Sequence, residues 1–378
     1  ALLEEALAGL DPASAMRPRL LARLAIEVYY VRPANLRERL SAEALATGRS
    51  LGGPALLEAL GARHVALWSP AHTEERLAIA DELIAAARPL GAREAELQGV
   101  NWRVADLVEL GDLDAARHSI AEHERLATDL RLLGYGWYVP MWRAMLALMA
   151  GRLDEAERLS QEGERIGRAA RDRNAALLFT VQRLAIRNAG GRLTEVDRAA
   201  IDEGARSSPA GAAWRAWATS IAIGRGDVER VRGAILREVD RLASLPLDAD
   251  WLYTAATLGL QVAHLGDPSA AAELYPRVLP YRHRTVTSGR ATACTGSVSL
   301  SLGLLAATLG DDRTAIAHLE DAVQRNDRLG AVPFAAAARH ALAGLIGDEA
   351  RAAALKDEAR TAADALAMPL PGGLFSRH

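Results

Sequence analysis

Lysine, cysteine and phenylalanine are nearly missing from this chain. Its one lysine, Lys356, excludes two chemistries at once: a P-loop needs Gly-Lys-Ser/Thr to hold phosphates, and a Schiff-base centre needs a buried amine. The single cysteine, Cys294, has no partner for an internal disulfide and no histidine beside it in sequence. Among small residues it reads as a core thiol, not a nucleophile, and nothing points to an oxidising compartment. No apolar run reaches about 18 residues and no signal-peptide pattern opens the chain, so the expected location is cytoplasmic. HExxH and GxSxG are absent, as is GxGxxG beside a strand. His118 and His123 are five apart, the wrong interval for one helical face, and His264, His318 and His340 each stand alone near a helix end. No enzyme, metal or cofactor is expected. Neither sign of charge is in excess: 45 basic against 48 acidic residues give −3. A domain that grips nucleic acid by phosphate neutralisation is therefore not expected.

What is present is a folded composition, half apolar and a quarter charged over 378 residues, and a repeat. Leu110-Gly-Asp-Leu113, Ala150-Gly-Arg-Leu153, Gly191-Arg-Leu193, Gly226-Asp-Val228, Gly266-Asp-Pro268 and Gly310-Asp-Asp312 say nearly the same thing, their glycines spaced by 40, 40, 35, 40 and 44 residues. Each glycine is preceded by one apolar helical run and followed by another, the mark of stacked helix-turn-helix units. The glycine closes helix A in a left-handed conformation and a short polar residue caps helix B. The fold predicted is all-α: a right-handed superhelical solenoid of tetratricopeptide-like hairpins with a repeat of about 40 residues.

Helix A of each unit is placed near 93–110, 135–150, 173–190, 210–225, 248–265, 287–309 and 333–347, with the last B helix near 349–366. Residues 1–92 read as less regular helical hairpins, interrupted at Gly52-Gly-Pro54 and restarted at Ser69-Pro70; residues 93–366 form the repeat array. Ser208-Pro209 and Asp267-Pro268 are further cap-plus-proline starts. Residues 367–378, rich in proline and glycine, read as a linker or frayed tail. The nearest approach to a strand, Thr285-Val-Thr-Ser288, is too short to count. Because Ala1 stands inside a helical pattern, the chain looks excised from something longer.

Seven tryptophans against three phenylalanines is a skewed inventory. Nine residues before the repeat glycine stand Trp102, Trp142 and Trp217; the next position holds Arg103, Arg143 and Arg183. Equivalent positions in stacked repeats form rows. At 100° per residue, Trp102 falls roughly 160° from Val104, away from the stripe of Val100, Val104, Leu107 and Val108. Two readings follow. The row packs one repeat on the next; or, joined by Trp137, Tyr138, Trp214, Trp251 and Tyr253, it lines a concave groove for a peptide, small molecule or partner domain, with part of each indole reachable by solvent. A second cluster, Arg277, Arg282, His283, Arg284 and Arg290, precedes a hydroxyl-rich stretch (Thr292, Thr295, Ser297, Ser299, Ser301). It reads as an anion cradle or as a solvated loop before a packed helix. Gly289, Gly296 and Gly303, at seven-residue spacing, favour close helix contact.

Arg17-Pro-Arg-Leu-Leu-Ala-Arg-Leu-Ala25, Glu75-Arg-Leu-Ala-Ile-Ala-Asp-Glu-Leu83, Leu110-Gly-Asp-Leu113, Ala150-Gly-Arg-Leu-Asp-Glu-Ala156 and Asn326-Asp-Arg-Leu-Gly330 together resemble the tetratricopeptide-like segment of large bacterial regulators. These are the MalT-like, LuxR-type ATP-dependent transcription activators and their AAA-ATPase-linked relatives. The resemblance implies a sensor arm that binds an inducer or a protein and biases an NTPase switch and a DNA-binding output. Neither of those modules lies in this chain. It implies no catalytic residue. A free-standing interaction scaffold is the alternative, and an all-helical small-molecule enzyme the least favoured.

Overall fold

The computed structural model describes residues 2–11, 14–29, 34–208 and 210–366. Apolar residues recur at three- and four-residue intervals, and each run is closed by a residue that stops it, so the architecture is all-α with one short hairpin of strands. Two compact units are present. One comprises the residues up to Gly136 with Pro246–Ala249; the other comprises Trp137–Leu245 and the residues from Asp250 onward. Repeat regularity begins near residue 93, but compactness divides between Gly136 and Trp137.

The first unit contains α1 (Leu2–Ala8), α2 (Arg17–Glu27), α3 (Ala34–Leu51), α4 (Gly53–Ala66), α5 (Thr73–Ala87), α6 (Arg93–Leu110), α7 (Leu113–Asp129) and the single turn α8 (Leu133–Gly136). From α2 onward, successive long helices pack on one another. At Ser69-Pro70 a 3₁₀ turn, Pro70–His72, precedes α5, and the Ser69 side chain makes no capping bond.

The second unit runs α9 (Tyr138–Met149), α10 (Leu153–Ala169), α11 (Arg173–Ala189), α12 (Glu195–Ser207), α13 (Gly211–Ile223), α14 (Val228–Leu242), α15 (Trp251–Leu265) and α16 (Pro268–Val278). Then come β1 (Thr285–Ser288) and β2 (Ala293–Ser297), followed by α17 (Val298–Thr308), α18 (Asp312–Leu329), α19 (Val332–Ala343) and α20 (Glu349–Leu366). Helices α13, α15, α17 and α19, all of the A type, pack in sequence, each with its B helix beside it. One core lies among α13–α17, around Val239, Leu252, Leu258, Val262, Leu274 and Leu305.

All six repeat glycines occupy the left-handed region, with φ between 62° and 84°; Gly91 and Gly330, both at 63°, extend the series. The turn after α6 shows why. The Gly111 amide donates to the Val108 carbonyl at 3.1 Å and the Asp112 amide to that of Leu107 at 2.9 Å, which satisfies the last carbonyls of the helix. The Asp112 carboxylate then accepts from the Ala115 amide at 3.0 Å, and Asp267 and Asp311 cap their helices in the same way. Asp227 and Arg152 occupy the same place without a side-chain cap. Pro209 and residues 367–378, for which a helix start and a tail were expected, lie outside the described residues.

One expected helix is not there as drawn. Over 287–309 the chain first makes an antiparallel hairpin, with Thr285 opposite Ser297, Thr287 opposite Cys294 and Ser288 opposite Ala293, and turns helical only at Val298. Thr285-Val286-Thr287 is therefore a strand after all. Its β-branched side chains favour the pleated backbone, and a second short strand gives it a partner. An extra residue on β2 forms a bulge beside Gly296, whose φ is 78°. Of the glycines at 289, 296 and 303, two serve a close approach to a helix: a Cβ at Gly303 would stand 2.6 Å from the Leu319 side chain of α18, and one at Gly296, on β2, would stand 2.5 Å from Asn326 Oδ1 of α18 and 2.9 Å from the Phe334 Cβ of α19.

Candidate functional site

The tryptophan row does not face solvent. Trp102, Trp142 and Trp217 are 6%, 0% and 8% exposed, which corrects the expectation of reachable indole area. The angular estimate failed because helix α6 is buried nearly all round. Glu96, Asn101, Trp102, Asp106 and Glu109 are buried with the Val100–Val104–Val108 stripe, since α6 packs on both α5 and α7. One apolar stripe describes a surface helix, not one enclosed on two sides.

Trp102 stacks on the His64 imidazole at 4.4 Å and 6°. His64 Nε2 lies 2.8 Å from the Asp106 carboxylate, which faces the Arg76 guanidinium at 3.3 Å; Arg76 also donates to Glu109 at 2.6 Å, and the Thr73 hydroxyl donates to Glu109 at 2.7 Å. Sequence reading missed this buried network. The signal was there: Thr73 and Arg76 on α5 and Asp106 and Glu109 on α6 are two i, i+3 pairs of complementary chemistry. Arg103 spends its guanidinium on Glu122, on Asp81 at 3.4 Å and on the Ser119 hydroxyl at 3.1 Å. His123 is fully buried beside Asn101, and burial pulls its imidazole down to about 3.

In the second unit the predicted residues separate into three groups. Trp214 and Trp217, with ring centroids 5.6 Å apart, pack with Leu184 and Ile201. Trp251 meets the ring of Tyr281 edge-on at 5.5 Å, and burial pushes the half-buried Tyr253 up to about 12. Arg183 pairs with Glu164 at 3.4 Å on the outer side of α11, and Arg143 is exposed.

The third group is a site. Trp137, Tyr138 and Trp142 from the start of α9 converge on the tip of the β-hairpin, Gly289–Thr292. Trp142 Nε1 donates to the main-chain carbonyl of Arg290 at 3.1 Å, and Gln182 Nε2, from α11, donates to that of Thr292 at 2.8 Å. Gln182 is itself anchored, donating from the same nitrogen to the Met141 carbonyl at 2.8 Å. The Arg290 guanidinium lies 5.9 Å from the Tyr138 ring centre and donates to its hydroxyl at 2.9 Å. Trp137 supports this face from behind, stacked on Tyr138 at 3.7 Å and held by an Nε1 bond to Asp172 at 3.2 Å. Burial raises the Tyr138 hydroxyl above its usual range, with the Arg290 charge opposing it, so the phenol stays protonated at neutral pH.

Thus Trp137, Tyr138 and Trp142 of the aromatic row meet Arg290 of the separate arginine cluster, a pairing not expected from sequence, and Arg290 comes from the hairpin and not from a loop before a helix. Gln182 and Met141 complete the arrangement and were not singled out in sequence; Thr292 was, as the first of the hydroxyl-rich stretch. Cys294, two residues past the tip, is buried, and burial pushes its thiol up to about 12, which keeps it protonated and unreactive. The chemistry present here is side-chain donation to main-chain carbonyls of a turn and a guanidinium held against a phenol. Among the described residues no group of three or more His, Cys, Asp or Glu side chains is placed to hold a metal ion. No helix among them is long and apolar enough to cross a membrane. The sequence matches no protein-family model and no curated protein.

Proposed function

We propose that this chain is a non-enzymatic binding module of helical hairpins, the sensor arm of a cytoplasmic bacterial regulator of the MalT-like, LuxR type, and that its second unit recognises protein or peptide main chain along α9 and α11. The observation that carries the reading is the pair of side-chain donors, Trp142 Nε1 and Gln182 Nε2, set on two neighbouring helices so that they meet carbonyls two residues apart. The carbonyls they meet belong to the turn of the hairpin, with Ala291 between them at φ 56°, so what supports the reading is side-chain donation to main-chain carbonyls, which does not depend on the side chains of the segment held. The buried tryptophan and tyrosine around the donors exclude water, and aromatic and arginine anchors of this kind dominate binding energy where they occur. Occupancy of that face, relayed to NTPase and DNA-binding modules elsewhere in the regulator, is the switch.

The test is an array of heptapeptides with varied central residues, titrated onto the full chain with tryptophan emission as readout. Micromolar binding lost in Trp142→Phe and Gln182→Leu is the expected result. No binding by any peptide, to the wild type or to a variant with a weakened hairpin tip, overturns the reading. An upstream P-loop or a downstream helix-turn-helix in the flanking gene sequence separates the regulator arm from a free-standing scaffold.

A further inference from the structure

We propose that the turn between α16 and β1 binds a single phosphate group, held by the Arg282 guanidinium and the Nε2–H of His283, with Arg325 as the residue that orients the imidazole. The site lies within the second unit and does not rest on the α9–α11 reading above.

The sequence leaves two readings open for the arginine cluster, an anion cradle or a solvated loop, and the side-chain contacts separate its members. Arg277 is spent on Glu273 at 3.1 Å and Arg290 on the Tyr138 hydroxyl. Arg284 is half-buried and already engaged. Arg282 and His283 remain, both exposed. Their turn is closed by the Arg282 amide donating to the Leu279 carbonyl at 3.2 Å and the Arg284 amide donating to that of Tyr281 at 2.8 Å. Helix α18 adds His318, Asp321 and Arg325 from far along the chain.

Arg325 Nε donates to the Asp321 carboxylate at 2.7 Å and its Nη2 donates to His283 Nδ1 at 2.8 Å. A guanidinium has nothing to accept with, so Nδ1 is the acceptor and the proton of the neutral ring sits on Nε2. Partial burial, then the charges of Arg282 and Arg325, hold this imidazole below its usual range and keep it neutral at pH 7. Asp321 is the one carboxylate whose charge reaches His283 or His318, and it is taken: besides Arg325 it has Ser299 Oγ at 2.5 Å, which also lies 3.0 Å from the Arg282 carbonyl.

Charge and donors are therefore left over. Three guanidinium charges act on His283 against one carboxylate, and Arg282 acts on His318 as well. Among the described residues no carboxylate pairs with Arg282, and nothing accepts from its guanidinium or from His283 Nε2. A solvated loop accounts for Arg282 alone. It gives no reason for a guanidinium to fix the tautomer of a histidine among like charges. Two adjacent unmet donors on a locally cationic turn suit an oxyanion, and phosphate gains more than carboxylate because it brings up to two charges and three acceptor oxygens. One such spot is not the row of cations that a DNA duplex requires.

The test is an imidazole spectrum of the full chain carrying isotope-labelled histidine, titrated at constant ionic strength with inorganic phosphate, glycerol phosphate and acetate. The His283 resonances are identified by their loss in His283→Gln. Phosphate should shift them saturably, with a dissociation constant on the order of 1 mM, and acetate should bind about tenfold more weakly. Arg282→Gln should weaken phosphate about tenfold, the loss of one charge-assisted hydrogen bond. Arg325→Gln should also weaken it and should mix the two tautomers, seen directly in the ring nitrogen shifts; Arg277→Gln should change neither. Tighter binding of inorganic phosphate identifies the free anion as the ligand, and equal or tighter binding of glycerol phosphate an ester; both support the site. A shift that never saturates, acetate binding as well as phosphate, or undiminished binding in a folded Arg282→Gln overturns it.

Discussion

His123 shows how a single side chain couples this fold to pH. Its imidazole is buried, and burial alone pulls the folded pKa to about 3 from an ordinary 6.5. In the window between those values the unfolded chain binds a proton that the folded chain refuses, so stability is complete above about pH 6.5 and declines as pH falls towards 3. The single-site loss is about 2 kcal/mol at pH 5, growing by about 1.4 kcal/mol for each further pH unit down to about 3. Urea melts at pH 7 and pH 5 should show that loss, and His123→Gln should reduce the difference between them by a comparable amount. An unchanged pH dependence in the variant would assign the effect to other groups. The neighbouring network of Arg76, Asp106 and Glu109 follows the opposite logic, because these charges are buried in mutual contact and removing one partner leaves another uncompensated.

At the scale of the element, the repeat glycines and the hairpin behave differently under substitution. At Gly266 a Cβ would meet nothing within 4 Å, so Gly266→Ala isolates backbone strain and should cost about 1 kcal/mol. At Gly151 the same left-handed backbone is combined with a Leu366 side chain 2.3 Å from the position of a Cβ. Gly151→Ala should therefore exceed Gly266→Ala by the cost of turning the Leu366 side chain aside. Urea midpoints of the two variants decide it: equal losses would show that Leu366 yields freely. The turns were readable in sequence because the requirement for a left-handed residue is local. The hairpin was not, because Thr285–Ser288 becomes a strand only once Ala293–Ser297 lies beside it, and the tip is stabilised by donors 148 and 110 positions away in sequence.

For the whole molecule, charge is the property that composition settles most directly. With a net −3 and arginines mostly committed to carboxylates, as Arg103, Arg187, Arg215 and Arg339 are, no excess of positive charge is available to displace counterions from a duplex. The full chain should show no binding to duplex DNA in an anisotropy titration at physiological salt. Micromolar binding that weakens steeply with added salt would contradict this and would turn attention to Arg282, His283, Arg284 and Arg325 at the base of the hairpin.

The sequence by itself determined the helical class, the position of the six left-handed repeat glycines, most helix boundaries and the short list of aromatic residues. These follow from local periodicity and local backbone sterics, which act within a few residues. Only the tertiary structure decided which way those aromatics face. Trp102 looked outward by helical angle and is enclosed, because a helix packed on two sides has no outer face at that position. Trp142 and Tyr138 meet Arg290 because the hairpin places its tip there, a juxtaposition set by packing between residues far apart in the chain. The buried pairing of Arg76 with Asp106 and Glu109 belongs to the same class. Its residues are ordinary surface types, and only the closure of α5 on α6 takes them out of water.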